Sequence, residues 1–496
     1  MGKIKLSFDN PNNQTIQNFI LRNGTAWQMP GTNRYNQTVL NDIPRMITRY
    51  YGLRSDGSFV KKMLVFAGGK MYLGDDTLGT LTQVFEGLYN LPCSPETLTL
   101  QVAGNSRMYV FDGHNTPVYY EGDDVGTFHT SSIVYKFVQA IVKDDRVFGF
   151  ERNSSTLVFS RNLYPEDYTS TYGGEIIVGN EKDSFIRRLA LLGNDLYIFK
   201  NDSVWVLRGS TKATYDVDCL IPNMGLLAQK ALCMVGSAIV LVCQQDKEIY
   251  QFNGTPIMKC LSSKMFDNEN GFKDMLDLIK TDDIVCILDT VNNLFRLSYK
   301  NIENDTAYNN HEVIFPTNEA NPDGSPKWSE SKGAKVSCYS LWDRQGDHTL
   351  VTGRIDIGRV EYHNRGNDWD GEAMECIIAT DDIIVQDGMN QQFDSIFIRG
   401  TPSNGTVTLN TYLNARHSSY SSSSVSDLGE RESLGDLSLS TQYAFNNWIP
   451  LPSNQQIGES ICVEIVSNTK GKHVELDDMV IDCTERDDIQ TSLVGG

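Results

Sequence analysis

The sequence predicts an all-β protein, with a β-propeller followed by a C-terminal β-sandwich. Three observations predict this class: strand–turn–strand phrases recur along the first two thirds, helical periodicity is nearly absent, and the strand pattern changes after residue 364. Hydrophobic residues make up 40% of the 496 residues, enough to bury a large core, which excludes a wholly disordered chain. We expect an extended N-terminal arm at residues 1–45, a propeller at 46–365 and a sandwich at 366–496.

The first 45 residues are polar with scattered aromatic side chains. Such a segment cannot bury enough surface to stay ordered by itself. We therefore expect an extended arm that lies on another part of the assembly. It would either close the ring of blades or reach a neighbouring subunit.

Six hairpin phrases carry the propeller prediction. Each has an apolar run, a polar turn and a second alternating run. They are LVFAGGKMYLG from Leu64, MYVFDGHNTPVYYEG from Met108, RVFGFERNSSTLVFS from Arg146, DLYIFKNDSVWVLRG from Asp195, AIVLVCQQDKEIYQFNG from Ala238 and DIVCILDTVNNLFRLS from Asp283. Successive phrases begin 38 to 49 residues apart, which is typical of four-stranded propeller blades. A less regular seventh phrase at His348–His363 makes the expected number of blades six or seven.

One short segment has a helical pattern. In FKDMLDLIKTDD, Phe272–Asp283, the side chains of Met275, Leu276, Leu278 and Ile279 would cover one face of a two-turn helix between blades.

The C-terminal region has clean two-residue alternation. The predicted strands are MECIIAT at Met374–Thr380, FDSIFIRG at Phe393–Gly400, GTVTLNTYLN at Gly405–Asn414, ICVEIVS at Ile461–Ser467 and MVIDC at Met479–Cys483. This pattern predicts a separate β-sandwich. The serine-rich stretch at residues 417–442 is predicted to be a flexible surface loop, with a binding tip as the alternative.

Composition narrows the function. The net charge is -20 and no basic run of five residues occurs, which disfavours proteins that grip nucleic acid or anionic lipid through phosphates. No apolar stretch approaches the length of a membrane helix, and the N-terminus lacks a secretory signal, so we expect synthesis in the cytoplasm. None of the ten cysteines forms a C-x-x-C pair, and we expect mostly buried, reduced thiols.

Catalytic and metal-binding motifs are absent from the sequence. It has no G-x-S-x-G elbow, phosphate-binding loop, G-x-G-x-x-G or H-E-x-x-H, and its seven histidines are dispersed. Adjacent carboxylates such as Asp282-Asp283 point to opposite faces of a strand and are interpreted as turn and edge residues. The phrase NPDGSPKW at Asn321–Trp328 departs from a sialidase aspartate box, and NDWDG at Asn367–Gly371 supplies too few calcium ligands. We therefore expect no enzyme, no cofactor, and no catalytic, cofactor-binding or metal residues.

Two segments resemble virion proteins of short-tailed bacteriophages. The first reads DRVFGFERNSSTLVFSRNLYPEDYTSTYGGEIIVGNEKDSFIRRLALLGNDLYIFKNDSVWVLRG, Asp145–Gly209, and the second contains DWDGEAMECIIATDD and MNQQFDSIFIRGTPSNGTVTLNTYLN within Asp368–Asn414. Their order is similar to that of the tail nozzle, tail tubular and packaged-DNA stabilisation protein family. The resemblance implies a ring, usually of six subunits, below the portal and adaptor, through which the genome leaves. It brings no catalytic residues.

The resemblance and the charge together predict a structural protein of the virion tail. Its expected partners are further copies of itself in a hexameric ring, the head-to-tail adaptor ring above it, and tail fibre or tailspike proteins. Duplex DNA would pass without specific binding, because acidic walls repel phosphates. The alternatives are a receptor- or glycan-binding propeller at the tail tip and a propeller glycoside hydrolase.

Overall fold

The structure is a computed structural model. It describes residues 2–6, 13–54, 57–74, 79–90, 95–168, 171–179, 184–263, 265, 271–302, 308–344, 347–380, 382–384, 391–401, 406–413, 431–438, 445–453, 457–458, 460–468, 470 and 472–485. Within these residues the chain is nearly all β, which confirms the predicted class. The strands are arranged mainly in small antiparallel sheets.

Five short strands lie in the predicted N-terminal arm. They are β1 (Gly2–Leu6), β2 (Asn13–Gln17), β3 (Phe19–Arg22), β4 (Thr25–Gln28) and β5 (Thr32–Arg34). Each pairs with a strand elsewhere in the chain or with its neighbour, so these residues are built into the sheets of the protein.

Next come four-stranded antiparallel units, numbered here in chain order. Unit 1 contains β6 (Pro44–Leu53), β7 (Phe59–Ala67), β8 (Lys70–Gly74) and β9 (Thr82–Glu86). Unit 2 contains β10 (Glu96–Val102), β11 (Asn105–Phe111), β12 (Val118–Tyr120) and β13 (Phe128–Thr130). Unit 3 contains β14 (Phe137–Lys143), β15 (Arg146–Glu151), β16 (Thr156–Phe159) and β17 (Gly174–Ile177).

The same arrangement continues to residue 363. Unit 4 contains β18 (Ile186–Leu192), β19 (Asp195–Lys200), β20 (Ser203–Arg208) and β21 (Asp216–Pro222). Unit 5 contains β22 (Leu232–Val235), β23 (Ala238–Val242), β24 (Ile249–Phe252) and β25 (Lys259–Cys260). Unit 6 contains β26 (Val285–Asp289), β27 (Leu294–Tyr299), β28 (His311–Pro316) and β29 (Ser329–Lys332). Unit 7 contains β30 (Val336–Arg344), β31 (Asp347–Arg354), β32 (Val360–His363) and, as its fourth strand, β5.

The apolar alternation explains how the units pack. In unit 4, for example, Tyr197 lies opposite Val206 and Ile198 opposite Trp205, and Tyr197 also packs its ring against Phe252 of unit 5. Similar clusters join each unit to the next. The first strand of unit 7 contacts the first strand of unit 1, so the succession of units returns to its start.

Unit 7 is completed by the N-terminal segment. β5 pairs antiparallel with β32, with Thr32 opposite His363. The buried Asn36 side chain accepts a hydrogen bond from the Val360 amide at 2.7 Å and donates one to the Gly358 carbonyl at 3.2 Å. Tyr35 packs edge-to-face on Tyr362. These contacts anchor the start of the chain to the last unit.

The C-terminal strands form two further sheets around one core. They are β33 (Cys376–Thr380), β34 (Gln391–Thr401), β35 (Thr406–Leu413), β36 (Arg431–Ser438), β37 (Phe445–Pro450), β38 (Ile457–Gly458), β39 (Ile461–Ser467) and β40 (Glu475–Glu485). One sheet has the order β3-β4-β40-β34-β37, with β1 on β40 and β38 on β34. The other has the order β2-β33-β39-β35-β36, and β2 also joins it to β29 of unit 6. Both sheets contribute to one buried cluster, which includes Phe19 and Ile20 from the N-terminal strands.

The predicted helix differs from the structure in its length and in the face that its side chains cover. The predicted two-turn helix is a single turn, α1 (Phe272–Met275), followed by a 3₁₀ turn at Thr281–Asp283, because Leu276 bridges to Asn301 and leaves the helix. Leu278 and Ile279 are exposed and cover no face. The sixth hairpin phrase forms the first and second strands of unit 6, whereas the earlier phrases form the second and third strands of their units.

The predicted serine-rich loop is wrong in part. Within residues 417–442, β36 (Arg431–Ser438) pairs antiparallel with β35. The other residues of this stretch lie outside the described residues.

Candidate functional site

A cavity of about 220 Å³ lies where the first strands of several units begin. We call it the central cavity. Its polar lining residues are Arg45, Asp112, Arg152, Asn153, Arg187, Gln229, Lys230, Asp282, Asp283 and Ser337, and its apolar lining residues are Val138, Phe150, Phe185, Ile186 and Val285. All seven units contribute. Six of them do so through the segment at the start of the first strand, and unit 2 contributes Asp112, which follows its second strand.

An ion-pair bridge crosses the space between the first strands. Glu96 of β10 accepts a hydrogen bond from Arg188 Nη1 of β18 at 2.9 Å and another from Lys230 Nζ, just before β22, at 2.5 Å. One carboxylate thus joins units 2, 4 and 5. Burial alone would raise the pKa of Glu96, but Lys230 and Arg188 together lower it below its usual value. Glu96 therefore carries its charge at neutral pH.

Two carboxylates of the lining are already engaged. Arg45 pairs with Asp283 at 2.9 Å and links unit 1 to the segment before unit 6. Asp112 accepts hydrogen bonds from the amides of Tyr89, His114 and Asn115 at 2.7 to 2.9 Å. Burial acts to raise the pKa of Asp112, and these donors lower it below its ordinary value. Asp112 therefore acts as a turn-stabilising anion and is poorly suited to take a proton.

Other cavity groups have unused hydrogen-bonding capacity. Arg187 Nε and Gln229 Nε2 are buried and have no hydrogen-bond partner within the described residues. Arg152 stacks over Tyr89 at 5.9 Å from the ring centroid. Neither arginine is in an ion pair with a described residue. The cavity thus holds donors that no acceptor among the described residues uses.

A second feature lies at the other end of the units. It consists of Arg161, Leu163, Tyr164 and Tyr172, in the connection between β16 and β17, and we call it the outer patch. Leu163, Tyr164 and Tyr172 are 73%, 53% and 61% exposed. The Arg161 guanidinium lies 4.3 Å from the ring centroid of Tyr164 and 5.7 Å from that of Tyr172.

Hydrogen bonds hold the outer patch in place and maintain a strained backbone conformation at Leu163. Leu163 has φ of +63°, which is unfavourable for a bulky side chain, and its amide donates to the Asp145 carbonyl at 2.9 Å. Glu166, three residues further on, accepts from the Tyr109 hydroxyl at 2.7 Å and from Ser132 Oγ at 2.5 Å. Asp145 and Arg152 flank opposite ends of β15, so the patch and the central cavity lie at opposite ends of the units.

The motifs considered in the sequence have mostly structural contacts. Asp370 of the NDWDG turn pairs with Arg34 and Arg359, both at 2.9 Å. Asp323 of NPDGSPKW accepts hydrogen bonds from Ser325. In the described part of the chain, no cluster of three or more metal-ligating side chains occurs, and the nine cysteines there are free thiols. None of the helices described is long or apolar enough to cross a bilayer.

Sequence reasoning missed the cationic residues of the central cavity. Arg45, Arg187 and Lys230 are far apart in the sequence and belong to no motif. Their shared signal is positional, because each lies within about two residues of the start of a unit's first strand. This signal could be found only by aligning the repeats on their first strands. The sixth phrase hinders that alignment, because it covers the first and second strands of its unit and the earlier phrases cover the second and third.

Comparison with known proteins does not identify a family for this chain. The chain matches no family model and no curated protein. Similar solved structures include the extracellular domain of BT4673 from B. thetaiotaomicron, with 12% identity over 77% of this chain and 45% of that one and a TM-score of 0.38. PorZ, a surface component of the type-IX secretion system of Porphyromonas gingivalis, matches with 10% identity over 74% of this chain and 44% of that one, at a TM-score of 0.36. The chain thus spans less than half the length of these two.

A third similar structure is BBS1N in complex with ARL6DN. It matches with 11% identity over 68% of this chain and 96% of that one, at a TM-score of 0.39. None of these similarities is strong enough to carry a function.

Proposed function

We propose that the chain is a structural subunit of the tail of a short-tailed bacteriophage, built as a seven-bladed β-propeller with a C-terminal β-sandwich. Units 1 to 7 are its blades. Within residues 1–45, β5 closes the last blade and β1 to β4 add strands to the sandwich. Copies assemble into a nozzle or tail-tube ring of six subunits below the portal and adaptor, with attached fibres or spikes as further partners. The protein acts in the virion without enzymatic activity.

DNA would pass through the lumen that the ring of subunits encloses and not through the middle of each propeller. The Glu96 bridge to Arg188 and Lys230 spans the space between blades 2, 4 and 5. A duplex is about 20 Å wide, whereas one carboxylate oxygen contacts both cations within 2.9 Å here. The passage therefore has to be the lumen of the ring, where the net charge of -20 per subunit would disfavour binding of the genome.

The outer patch is the observation that carries this proposal. It lies in the segment Asp145–Gly209, on which the resemblance to tail proteins rests. Tyrosine and arginine are enriched at the energetic centres of protein interfaces, and an apolar side chain held exposed at positive φ favours a surface built for contact. Because the hydrogen bonds of Glu166 already fix this connection, binding would cost little further conformational entropy.

The test is assembly of the full chain with altered side chains. Expressed with the proteins encoded beside it, the chain should form rings of six that native mass spectrometry and electron cryo-microscopy can count. The double substitution Leu163→Ser with Tyr164→Ser should reduce ring formation at least tenfold while circular dichroism stays unchanged. Ile257→Ser is the matched control, because Ile257 is 79% exposed and lies in the corresponding connection of another unit, between β24 and β25 of unit 5. A chain that stays monomeric with all those partners would contradict the proposal.

A glycan- or receptor-binding role is the second candidate. The exposed rings of Tyr164 and Tyr172, both close to the Arg161 guanidinium, could stack on a sugar. A glycan array with the wild-type chain and with Tyr164→Ser separates the two. Binding to a defined glycan that the substitution removes, without any ring, would favour the receptor role.

A further inference from the structure

We propose that the central cavity is a binding site for a small oxyanion of the phosphate type. The site would be formed by Arg187, Arg152 and Gln229. It does not depend on the proposed function, since it lies at the other end of the units from the outer patch. The argument rests on unsatisfied donors, local charge and size.

The first step is the set of unused donors. Arg187 Nε and Gln229 Nε2 are buried, line the same cavity and have no acceptor within the described residues. Buried polar groups in folded proteins are nearly always hydrogen-bonded, and a buried donor without a partner is costly. Two such donors on one cavity wall therefore point to an acceptor that enters from outside the chain.

The second step is the local charge. The lining residues, with Glu96 and Arg188 beside them, provide five cations and four carboxylates, an excess of one positive charge in a chain of net charge -20. The positively charged groups are also more available to a ligand than the carboxylates are. Asp283 is paired with Arg45, Asp112 is saturated by amide donors, and Glu96 is shared by two cations.

The third step is the chemistry of the donors. A guanidinium presents its N–H groups in a planar fork that matches the oxygens of phosphate or carboxylate. Arg187 and Arg152 line the cavity without an ion-pair partner among the described residues, and the Gln229 amide adds a neutral donor. Of the lining carboxylates, Asp282 alone has no hydrogen bond or ion pair with a described residue, so an anion fits this lining better than a cation does.

The fourth step is size. Drug-sized ligands occupy pockets of roughly 300 to 1,000 Å³, and one water takes about 30 Å³ of liquid volume. At about 220 Å³ the central cavity is too large for a single water and suits a small ligand. It has room for inorganic phosphate with several waters, or for a compact phosphate monoester.

Calorimetric titration of the full chain tests the proposal. Inorganic phosphate should bind with a stoichiometry of one per chain, whereas chloride at the same ionic strength should not. Glycerol phosphate is the second probe. Tighter binding of glycerol phosphate would identify an esterified phosphate as the natural ligand, and equal or weaker binding would identify the free ion. No heat from either probe at millimolar concentration would overturn the proposal and leave only water in the cavity.

Variants locate the site. Arg187→Gln and Arg152→Gln should each weaken phosphate binding by about tenfold or more, as expected for loss of a charged hydrogen bond. Asp282→Asn should tighten binding severalfold, because it removes the uncommitted negative charge of the lining. Arg208→Gln is the control, since Arg208 lies on β20 outside the cavity and pairs with Asp218.

The signs of these effects decide the outcome. Each variant is first checked by circular dichroism, and two independent arginine variants guard against the misfolding of one. The proposal is wrong if Arg208→Gln weakens phosphate binding as much as Arg187→Gln and Arg152→Gln do. It is also wrong if Asp282→Asn has no effect and both Arg187→Gln and Arg152→Gln bind phosphate as the wild-type chain does, because the anion would then lie elsewhere.

Discussion

Units 1 to 6 and the remainder of the molecule are built from β-strands in different ways. In units 1 to 6 every strand pairs with the next one in the sequence. In unit 7 and the C-terminal sheets, strands from the first 34 residues supply essential partners. Arg34 lies opposite Glu361, and Gly2 opposite Cys483, more than 300 residues away.

The difference separates local from long-range determinants of the fold. A hairpin needs only its turn and its alternating side chains, so its sequence predicts it. A strand donated from the far end of the chain has no such signature, and its stability depends on a few close contacts at the junction. The junction around β5 should therefore be more sensitive to small substitutions than the hairpin turns are.

Gly31→Ala is expected to have the largest effect. Gly31 precedes β5, its amide donates to the Gly366 carbonyl at 3.0 Å, and a Cβ there would lie 1.8 Å from the Asp368 carbonyl oxygen. Because that neighbour is backbone, the junction has to open. We expect a loss of about 3 kcal/mol or more in the free energy of unfolding, measured by urea denaturation.

Gly193→Ala is the matched control from a local hairpin. Gly193 lies in the turn between β18 and β19 with φ of +63°, and a Cβ there would meet no atom within 4 Å. Only the left-handed conformation costs energy, about 1 kcal/mol. Equal losses for both variants would show that the junction is no more sensitive than a turn.

Glu96→Gln tests whether the local units also depend on a contact across the molecule. The substitution leaves Arg188 and Lys230 close together without their shared anion, in a site where the Glu96 side chain is only 16% exposed. We expect a loss of about 2 kcal/mol in the free energy of unfolding, below the effect at Gly31. The readout is the midpoint of urea denaturation at neutral pH.

Glu86→Gln is the control for this charge change. Glu86 is 66% exposed and lies 3.7 Å from Lys70, so its loss should change stability by less than about 0.5 kcal/mol. A Glu96→Gln variant as stable as this control would mean that the bridge across the first strands contributes nothing.

The sequence predicted the hairpins because their information is local. The phrases from Leu64, Met108 and Asp195 coincide with strand pairs β7–β8, β11–β12 and β19–β20. The sequence left open whether the N-terminal segment closes the ring of blades or reaches a neighbouring subunit, and the apolar content of TNR in β5 is too small to identify the strand that completes unit 7. The sequence also does not show that α1 ends after one turn, because that end depends on the bridge between Leu276 and Asn301, which are distant in the sequence.

The two candidate sites were predictable to different degrees. The outer patch falls wholly within the segment Asp145–Gly209 that the sequence already singled out, although its exposure could not be predicted. Arg152 and Arg187 of the central cavity lie in the same segment, but Arg45 and Lys230 lie outside it. The central cavity collects Arg45, Arg152 and Arg187 from three units, and only the fold brings them together. Isolated arginines in an acidic chain give no reason to expect a cationic cavity.

The junction beside β5 also contains a buried histidine, which gives the smallest and most specific expectation. His363 lies opposite Thr32 of β5 and is fully buried, with Glu312 Oε2 at 3.8 Å from its Nε2 and Arg296 nearby. Burial, assisted by the positive charge of Arg296, holds the pKa of His363 well below 6.5. The folded protein therefore keeps this ring neutral at pH values where the unfolded chain takes up a proton.

The sign of the pH effect follows from this difference. A histidine whose folded pKa is depressed stabilises the fold fully above pH 6.5, and that contribution is lost as the pH falls toward the folded pKa. The loss is at most about 1.4 kcal/mol per pH unit. His363→Phe should make the free energy of unfolding fall less steeply between pH 7.5 and pH 5.5 than it does for the wild-type chain, as measured by urea denaturation at each pH. His473 also has a pKa lowered by burial, so some slope should remain in the His363 variant. An unchanged slope in His363→Phe would show that the histidine beside β5 takes up its proton without loss of the fold, and that the junction tolerates a buried charge.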